Sequence, residues 1–397
     1  MENAYKKNVI IRSGTLKMGG LERVLIEVLQ SIEKNRYNLY LFIENNAGKE
    51  NVFLNDVPDW IKVYFLKPEP IMRKSEFYRQ NKKKMYYKLM YNITMNLEKY
   101  LVKKNTKKYI KEIGKPDIFL DFDAGATKYI ERIDTKKKFV WLHSSVEKLI
   151  KSESKLRRYG KRLEKYDKIV AICDEMKDEL ERLYPYLKGK IIKIYNPFNL
   201  ERILKSANDE SELSQEDIRM MKEKYSLAVA RLDNVQKDFS TLIKAFKELK
   251  DRGINENLYI IGEGPGKKDI EELIIQYGLE ETVYLLGVRK NPYIWMKNAH
   301  FFVHSSKYEG FGLVLIEAAT LGKAIISSNC KVGPKEILGN GEYGSLFNVG
   351  DYKELSIIME EIIKNSKLRE NYEIKAKERA NQFESKSLIK EYYNILD

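Results

Sequence analysis

Short apolar runs rich in β-branched and aromatic residues recur along this chain with helical patterns between most of them, and this alternation limits the available folds more than any other feature. The runs are NVIIR, YNLYLFIE, IKVYFL, DIFLDF, KFVWLHS and KIVAIC, followed by SLAVARL, NLYIIGEG, TVYLLG, AHFFVHS and KAIISS. A helical stripe is plain at Leu21, Val24, Leu25, Val28, Leu29 and Ile32, directly after Gly19 and Gly20. Strands that alternate with helices imply parallel sheets covered on both faces, hence an α/β fold. The runs are too many for one doubly wound sheet of ordinary size. The pattern relaxes near IYNPFNLERIL, where Asn196-Pro197 interrupts regular structure. The expectation is therefore two doubly wound, Rossmann-like domains facing a central cleft, 1–196 and 197–380, with 381–397 as a terminal helix returning to the first.

Composition agrees with cores of that size, since 43% of the 397 residues are hydrophobic. Cys173 and Cys330 are the sole cysteines, far apart and without metal-ligand spacing, which argues against a disulfide framework or a zinc cluster. No apolar run approaches the roughly 20 residues that cross a bilayer, and the start MENAYKKNVIIRSG lacks a signal-peptide core, so a cytoplasmic protein is expected. Net charge is +14, and the segment from Ile71 to Lys111 carries +11 of local excess, with thirteen Lys or Arg against Glu76 and Glu98. The same segment holds Tyr86, Tyr87, Tyr91, Tyr100 and Tyr109, and Met85, Leu89, Ile93, Leu97 and Leu101 recur every four residues as on one helix face. It reads as a basic, aromatic, amphipathic helix pair. A solvated face, an anionic membrane surface and nucleic acid are three possible uses of it.

Doubly wound domains bind ligands at the carboxyl ends of their strands. Four motifs fall there. In RSGTLKMGGLERVL, Gly19 and Gly20 let backbone N–H groups approach a phosphate at a helix start, although a turn needing positive φ explains them equally. In VARLDNVQKDFSTLIKAF, Arg231 and Lys237 form a plausible clamp for a departing diphosphate, with surface ion pairs as the alternative. In IGEGPGKKDIEEL, Gly262 and Gly264 give G-x-G-x-G rather than G-x-G-x-x-G. The following strand ends at Gly287-Val288-Arg289 without the acid that grips a ribose in nicotinamide-cofactor sites. Hydride transfer is disfavoured. In YEGFGLVLIEAATLGKA, Glu309 and Glu317 flank a helix start at Phe311-Gly312-Leu313. A helix start favours phosphate, which repels carboxylates. The acids are therefore suited to sugar hydroxyls, and the ligand implied is a sugar phosphate.

The run HSSKYEGFGLVLIEAATLGKAII, with Glu309 and Glu317 eight apart, resembles the E-x7-E motif of retaining glycosyltransferases of family 4, which have the two-domain GT-B fold. Gly19-Gly20, His143 in VWLHSS, the NPF hinge, Arg231, Lys237 and the IGEGP turn occur in the order that family shows. The resemblance implies an acceptor-binding first domain and a nucleotide-sugar-binding second domain. It assigns Arg231 and Lys237 to the donor diphosphate, Glu317 to the ribose, Glu309 to hydroxyls of the transferred sugar and His143 to the reaction centre. Donor contacts are implied at Gly19, Gly20, Gly262, Gly264, Val288, Phe311, Gly312 and Leu313. No metal or cofactor is required by that pattern. SSNCKVGPKEIL resembles transferases that build bacterial surface polysaccharides from UDP-sugars. The expected partners are a nucleotide-sugar and a saccharide or lipid-linked acceptor, with association of the basic segment with the inner face of the membrane as a further possibility and no nucleic acid. A noncatalytic sugar-nucleotide-binding subunit and a nucleic-acid-binding protein are the competing classes. His300 and His304 flank a buried-looking strand and read as packing or polar-cap residues, and Ser144 and Ser145 as a helix cap.

Overall fold

The computed structural model describes residues 5–397. The chain divides into two compact units, Met1–Pro197 with Leu388–Asp397, and Phe198–Ser387. Each is an all-parallel, doubly wound α/β unit, so the two-domain Rossmann-like architecture expected from the strand–helix alternation is present. The boundaries anticipated from sequence were 196 and 380. The observed crossings lie after Pro197 and, on the return, after Ser387, within the helix Ser385–Leu396.

Unit 1 contains β1 (Asn8–Ser13), β2 (Asn38–Asn45), β3 (Lys62–Lys67), β4 (Ile118–Asp121), β5 (Lys137–Leu142), β6 (Lys168–Ala171) and β7 (Ile191–Lys193). Their spatial order is β3-β2-β1-β4-β5-β6-β7. Val9 on β1 stands opposite Leu39 on β2 and Ile118 on β4. All of β4 and nearly all of β1 are buried, as a central parallel strand covered on both faces requires. The helix α1 (Gly20–Ser31) buries Val24, Leu25, Val28 and Leu29, the stripe visible in the sequence. Burying each such side chain contributes about 1.5–3 kcal/mol before conformational entropy is set against it.

Unit 2 contains β8 (Tyr225–Val229), β9 (Asn257–Ile261), β10 (Val283–Gly287), β11 (Phe302–His304), β12 (Ile325–Ser328) and β13 (Ser345–Phe347), in the order β10-β9-β8-β11-β12-β13. Leu242, Phe246 and Leu249 from the helix Phe239–Asp251 pack with Leu258, Ile260, Val303, Ile326 and Met359 in one core. Strand order reverses direction between β1 and β4 in unit 1 and between β8 and β11 in unit 2. Those two switch points leave crevices beyond the strand ends, where doubly wound folds hold ligands.

The basic segment forms α2 (Glu69–Gln80) and α3 (Met85–Ile113), and α3 stops at Gly114, whose φ of 84° suits glycine. The face of α3 turned into unit 1 is Thr94, Glu98, Val102 and Thr106, with Glu98 held 3.0 Å from Lys67 at the end of β3. The predicted ridge runs the other way: Met85, Leu89, Ile93 and Leu97 are exposed. Apolar residues spaced by four mark one side of a helix, but the spacing cannot say which side meets the protein. Here a buried ion pair, small polar residues, Val102 and the ring of Tyr109 against Tyr64 and Phe42 hold the inner face.

Candidate functional site

In unit 2 the loops that leave β8 and β11 border the switch point and are stitched together. An antiparallel bridge joins Lys237 to Ser306, the Asp238 N–H donates to the Ser305 carbonyl at 3.0 Å, and the Lys307 N–H donates to the Gln236 carbonyl at 2.8 Å. Asp238 caps the next helix by accepting from the Thr241 N–H and hydroxyl, which fixes the residue after Lys237. The Glu309 N–H donates to the Lys331 carbonyl at 2.7 Å. These backbone bonds bring together two side chains distant in sequence: Lys237 and Glu309 form an ion pair whose members are 11% and 7% exposed.

Glu309 is the centre of a polar cluster. Lys237 Nζ and His304 Nε2 both meet its Oε1, His304 at 2.8 Å, and Gln236 Nε2 donates to Oε2 at 3.2 Å. Burial pushes the carboxyl up, yet His304 and Lys237 outweigh it and hold Glu309 well below the usual carboxylate range. Burial and the Lys237 charge push His304 down. Glu309 is therefore an ionised acceptor in a largely desolvated place.

Gly312 sits in a left-handed conformation with φ 93° and starts the helix Leu313–Thr320, so a residue with Cβ is disfavoured there. Phe311 before it is buried, and its carbonyl lies 2.0 Å from where a Cβ on Gly333 would stand. Glycine at 333 lets the two loops approach. Glu317 projects from the same helix and accepts from Tyr293 Oη at 3.1 Å. From Gly312 to Glu317 the rise is about 7 Å, comparable with a phosphate-to-ribose offset.

Gly262 and Gly264 follow β9 and press against the loop that bears Arg231. A Cβ on Gly262 would stand 1.9 Å from the Ala230 carbonyl oxygen, and one on Gly264 2.3 Å from that of Leu232. Their smallness sets the course of that loop. Arg231 itself is 65% exposed in its side chain and pairs with Asp233 at 2.6 Å. Val288 is exposed just beyond β10. Thus Lys237 on the loop after β8 meets Glu309 on the loop after β11, which leads through Phe311 and Gly312 into the helix bearing Leu313 and Glu317, while Arg231 lies exposed on the β8 loop.

In unit 1, neither Gly19 nor Gly20 has positive φ, which removes the turn explanation for them. Gly19 is extended, with φ −175°, and Gly20 begins α1. A Cβ on Gly19 would stand 2.2 Å from the Glu22 carboxylate, the mobile end of a side chain that can turn aside. His143 follows β5 and bonds to the Phe122 backbone, and burial pushes its pKa down to about 4. Its Nε2 is buried without a partner. It lines a cavity of about 250 Å³ together with Leu21, Asp123, Leu142, Leu149 and Tyr159. The start of α1 and His143 therefore share one cavity of unit 1. Ser145 caps the short helix Val146–Leu149, accepting from the Lys148 N–H at 3.2 Å and donating to Glu179 at 2.6 Å.

Sequence reasoning missed three features. His304, read as a packing or polar-cap residue, is buried at the end of β11 and also contacts Glu309, and the signal available was a histidine at a strand end five residues before that acid. Gln236, beside Lys237, gave no signal. Arg12, at the end of β1, is 2% exposed and pairs with Glu44, Asp121 and Asp123 from neighbouring strand ends. A lone arginine in RSGTLK does not announce that burial. Among the described residues no three His, Cys, Asp or Glu side chains converge as metal ligands.

The family model described as Glycosyl transferases group 1 matches residues 209–379. The chain is 34% identical over 234 residues to the N-acetylgalactosamine-N,N'-diacetylbacillosaminyl-diphospho-undecaprenol 4-alpha-N-acetylgalactosaminyltransferase of Campylobacter jejuni, a match covering 58% of this chain and 61% of that one. It is 30% identical over 261 residues to an uncharacterized glycosyltransferase of Methanocaldococcus jannaschii, covering 58% and 63%. The chain thus spans about three fifths of the length of these relatives. Among solved structures, Anabaena HepE in complex with UDP and glucose superposes with a TM-score of 0.74 at 18% identity over 98% of this chain and 99% of that one. A Staphylococcus aureus TarM variant in complex with fondaparinux, alpha-GlcNAc-glycerol and UDP superposes with a TM-score of 0.72 at 14% identity, over 99% and 100%. At such identities the likeness establishes the fold. The likeness to Glycosyl transferases group 1 is confined to residues 209–379, which hold most of unit 2.

Proposed function

We propose that this protein is a retaining glycosyltransferase that moves a sugar from a UDP-linked donor to a glycan or lipid-linked saccharide in cell-surface polysaccharide synthesis. The observation that carries the proposal is the buried Lys237–Glu309 pair at the switch point of unit 2, followed directly by the Gly312 helix start and Glu317. The helix start supplies N–H groups and a positive field for the diphosphate. Lys237 and Arg231 stabilise the charge that grows as the diphosphate leaves, without a metal. Glu317 accepts from the ribose hydroxyls. Glu309 stays ionised and accepts from hydroxyls of the transferred sugar.

In the step itself, the bond between the anomeric carbon and the β-phosphate oxygen breaks. The acceptor oxygen bonds to that carbon on the same face, and the acceptor proton passes to the leaving phosphate. His143, neutral at physiological pH with Nε2 able to accept, is assigned to this reaction. Preference for UDP draws on the SSNCKVGPKEIL segment and on the UDP bound by HepE and the TarM variant. A lipid-linked acceptor draws on the undecaprenol-linked substrate in the name of the Campylobacter enzyme and on α3, whose exposed apolar ridge lies among lysines. The protein would then work at the inner face of the cell membrane as a peripheral enzyme. Among the described residues no helix is long and apolar enough to cross one.

Thermal shift against UDP, GDP, ADP and their sugars tests the donor, because a ligand that binds only the native state raises Tm. UDP and a UDP-sugar are expected to give the largest shifts. Arg231→Ala and Lys237→Ala are expected to lower kcat more than they raise KM, with wild-type activity intact in EDTA. Activity lost in EDTA and restored by magnesium would overturn the metal-free step.

A further inference from the structure

A carboxylate has two oxygens and about four lone-pair positions. At Glu309 three are taken: Oε1 receives Lys237 Nζ and His304 Nε2, and Oε2 receives Gln236 Nε2 alone. The one position left is on Oε2. The terminal torsion of a glutamate is broad, and a lysine on its flexible four-carbon stem does little to fix it. A second donor arriving from a different direction does fix it. His304 is that donor, 2% exposed and anchored at the end of β11, with Ser306 Oγ 3.1 Å from the same Nε2.

We infer that His304 is a positioning residue: its Nε2–H holds Oε1 of Glu309 so that Oε2 keeps one free acceptor position for a hydroxyl of the transferred sugar. The inference rests on the transferase reading and deepens it. Since the Glu309 carboxylate can only accept, a bond from the neutral His304 ring to it requires the proton on Nε2, and the Ser306 hydroxyl then does not donate to that nitrogen. Both roles of Glu309 follow, as counter-charge to Lys237 through one oxygen and as reader of the sugar through the other. His304 itself touches neither sugar nor phosphate.

The test uses the full chain with UDP, UDP-glucose, UDP-galactose and UDP-N-acetylglucosamine. Wild type, His304→Leu, His304→Gln, His304→Asn and Glu309→Gln are compared for UDP affinity and for donor turnover. Gln places an amide donor near the position of Nε2, whereas Asn falls short, so this pair carries the comparison if the Leu variant does not fold. For His304→Asn or Leu, turnover of the preferred donor should fall about 10-fold or more while UDP affinity changes less than about 3-fold, since the lost bond is to a charged group that meets only the sugar. His304→Gln should recover most of that loss. NMR of nitrogen-15-labelled histidine at pH 7 should show His304 as the Nε2–H tautomer. Wild-type turnover in His304→Asn and Leu alongside an impaired Glu309→Gln, or an Nδ1–H tautomer, overturns the inference alone. Wild-type protein that turns over none of these donors, nor UDP-N-acetylgalactosamine, overturns the transferase reading and the inference with it.

Discussion

Glu309 and Glu317 stand eight residues apart and face different electrostatic demands. Glu309 is buried with Lys237 and His304 against it, whereas Glu317 meets the phenol of Tyr293. Because its folded pKa is depressed, Glu309 contributes stability that is fully present above its unfolded value near 4.3 and is lost as pH falls toward the folded value. Glu309→Gln leaves Lys237 without its anion in a desolvated place, so it should cost about 3 kcal/mol at pH 7. The variant should also lose less stability than wild type between about pH 5 and pH 3. Urea unfolding across that range reads both effects. An equal acid loss in the two proteins would mean that Glu309 is not held ionised. In the proposed role Glu317 accepts from ribose hydroxyls, and charge-assisted bonds of that kind contribute about 1.5–3 kcal/mol, so Glu317→Ala should weaken UDP binding by about 10- to 150-fold by calorimetry. Unchanged affinity would remove Glu317 from the site.

At the scale of elements, the long strands and α1 were legible because burial imposes a pattern on them. Two strands escaped, β7 and β13, each three residues long with sequences IIK and SLF. β11 is equally short, yet it was legible because all three of its residues are buried within the apolar run AHFFVHS, whereas β7 and β13 are each buried at one residue only and show no period. In α3 the spacing was legible but its direction was not, because spacing does not say which side meets the protein; the inner side is held by the Glu98–Lys67 pair together with buried Val102 and by Tyr109, whose ring packs on Tyr64 and Phe42. The outer ridge together with Lys82, Lys83 and Lys84 should bring α3 to anionic bilayers, each basic residue near the surface contributing around 1 kcal/mol before screening. Flotation with phosphatidylserine vesicles should show binding that weakens as salt rises and weakens further when these three lysines are reversed to glutamate. Donor turnover in solution should be little changed, because Arg231, Lys237, Glu309 and Glu317 belong to unit 2. Absence of binding even at low salt would leave α3 a solvated face and remove the main physical support for a lipid-linked acceptor.

Across the whole molecule, what could be read in advance was whatever is written in consecutive residues. The GFG turn before Glu317 and the paired acids are local, so their placement on one loop and helix followed from spacing. The contacts of His304 and Gln236 with Glu309, and the burial of Arg12 among three acids, arise only when loops from separate strands converge, and no local pattern encodes them. The proposed chemistry rests on the same convergence, since β8 and β11 are distant in sequence and adjacent in the sheet. The claim that this convergence transfers sugar with retention is tested most directly by proton NMR of UDP-glucose, UDP-galactose, UDP-N-acetylglucosamine and UDP-N-acetylgalactosamine incubated with the protein in EDTA. The account predicts that one donor is cleaved to UDP and that the sugar first appears as the α-anomer. No cleavage of any of the four, or the β-anomer appearing first, would contradict it.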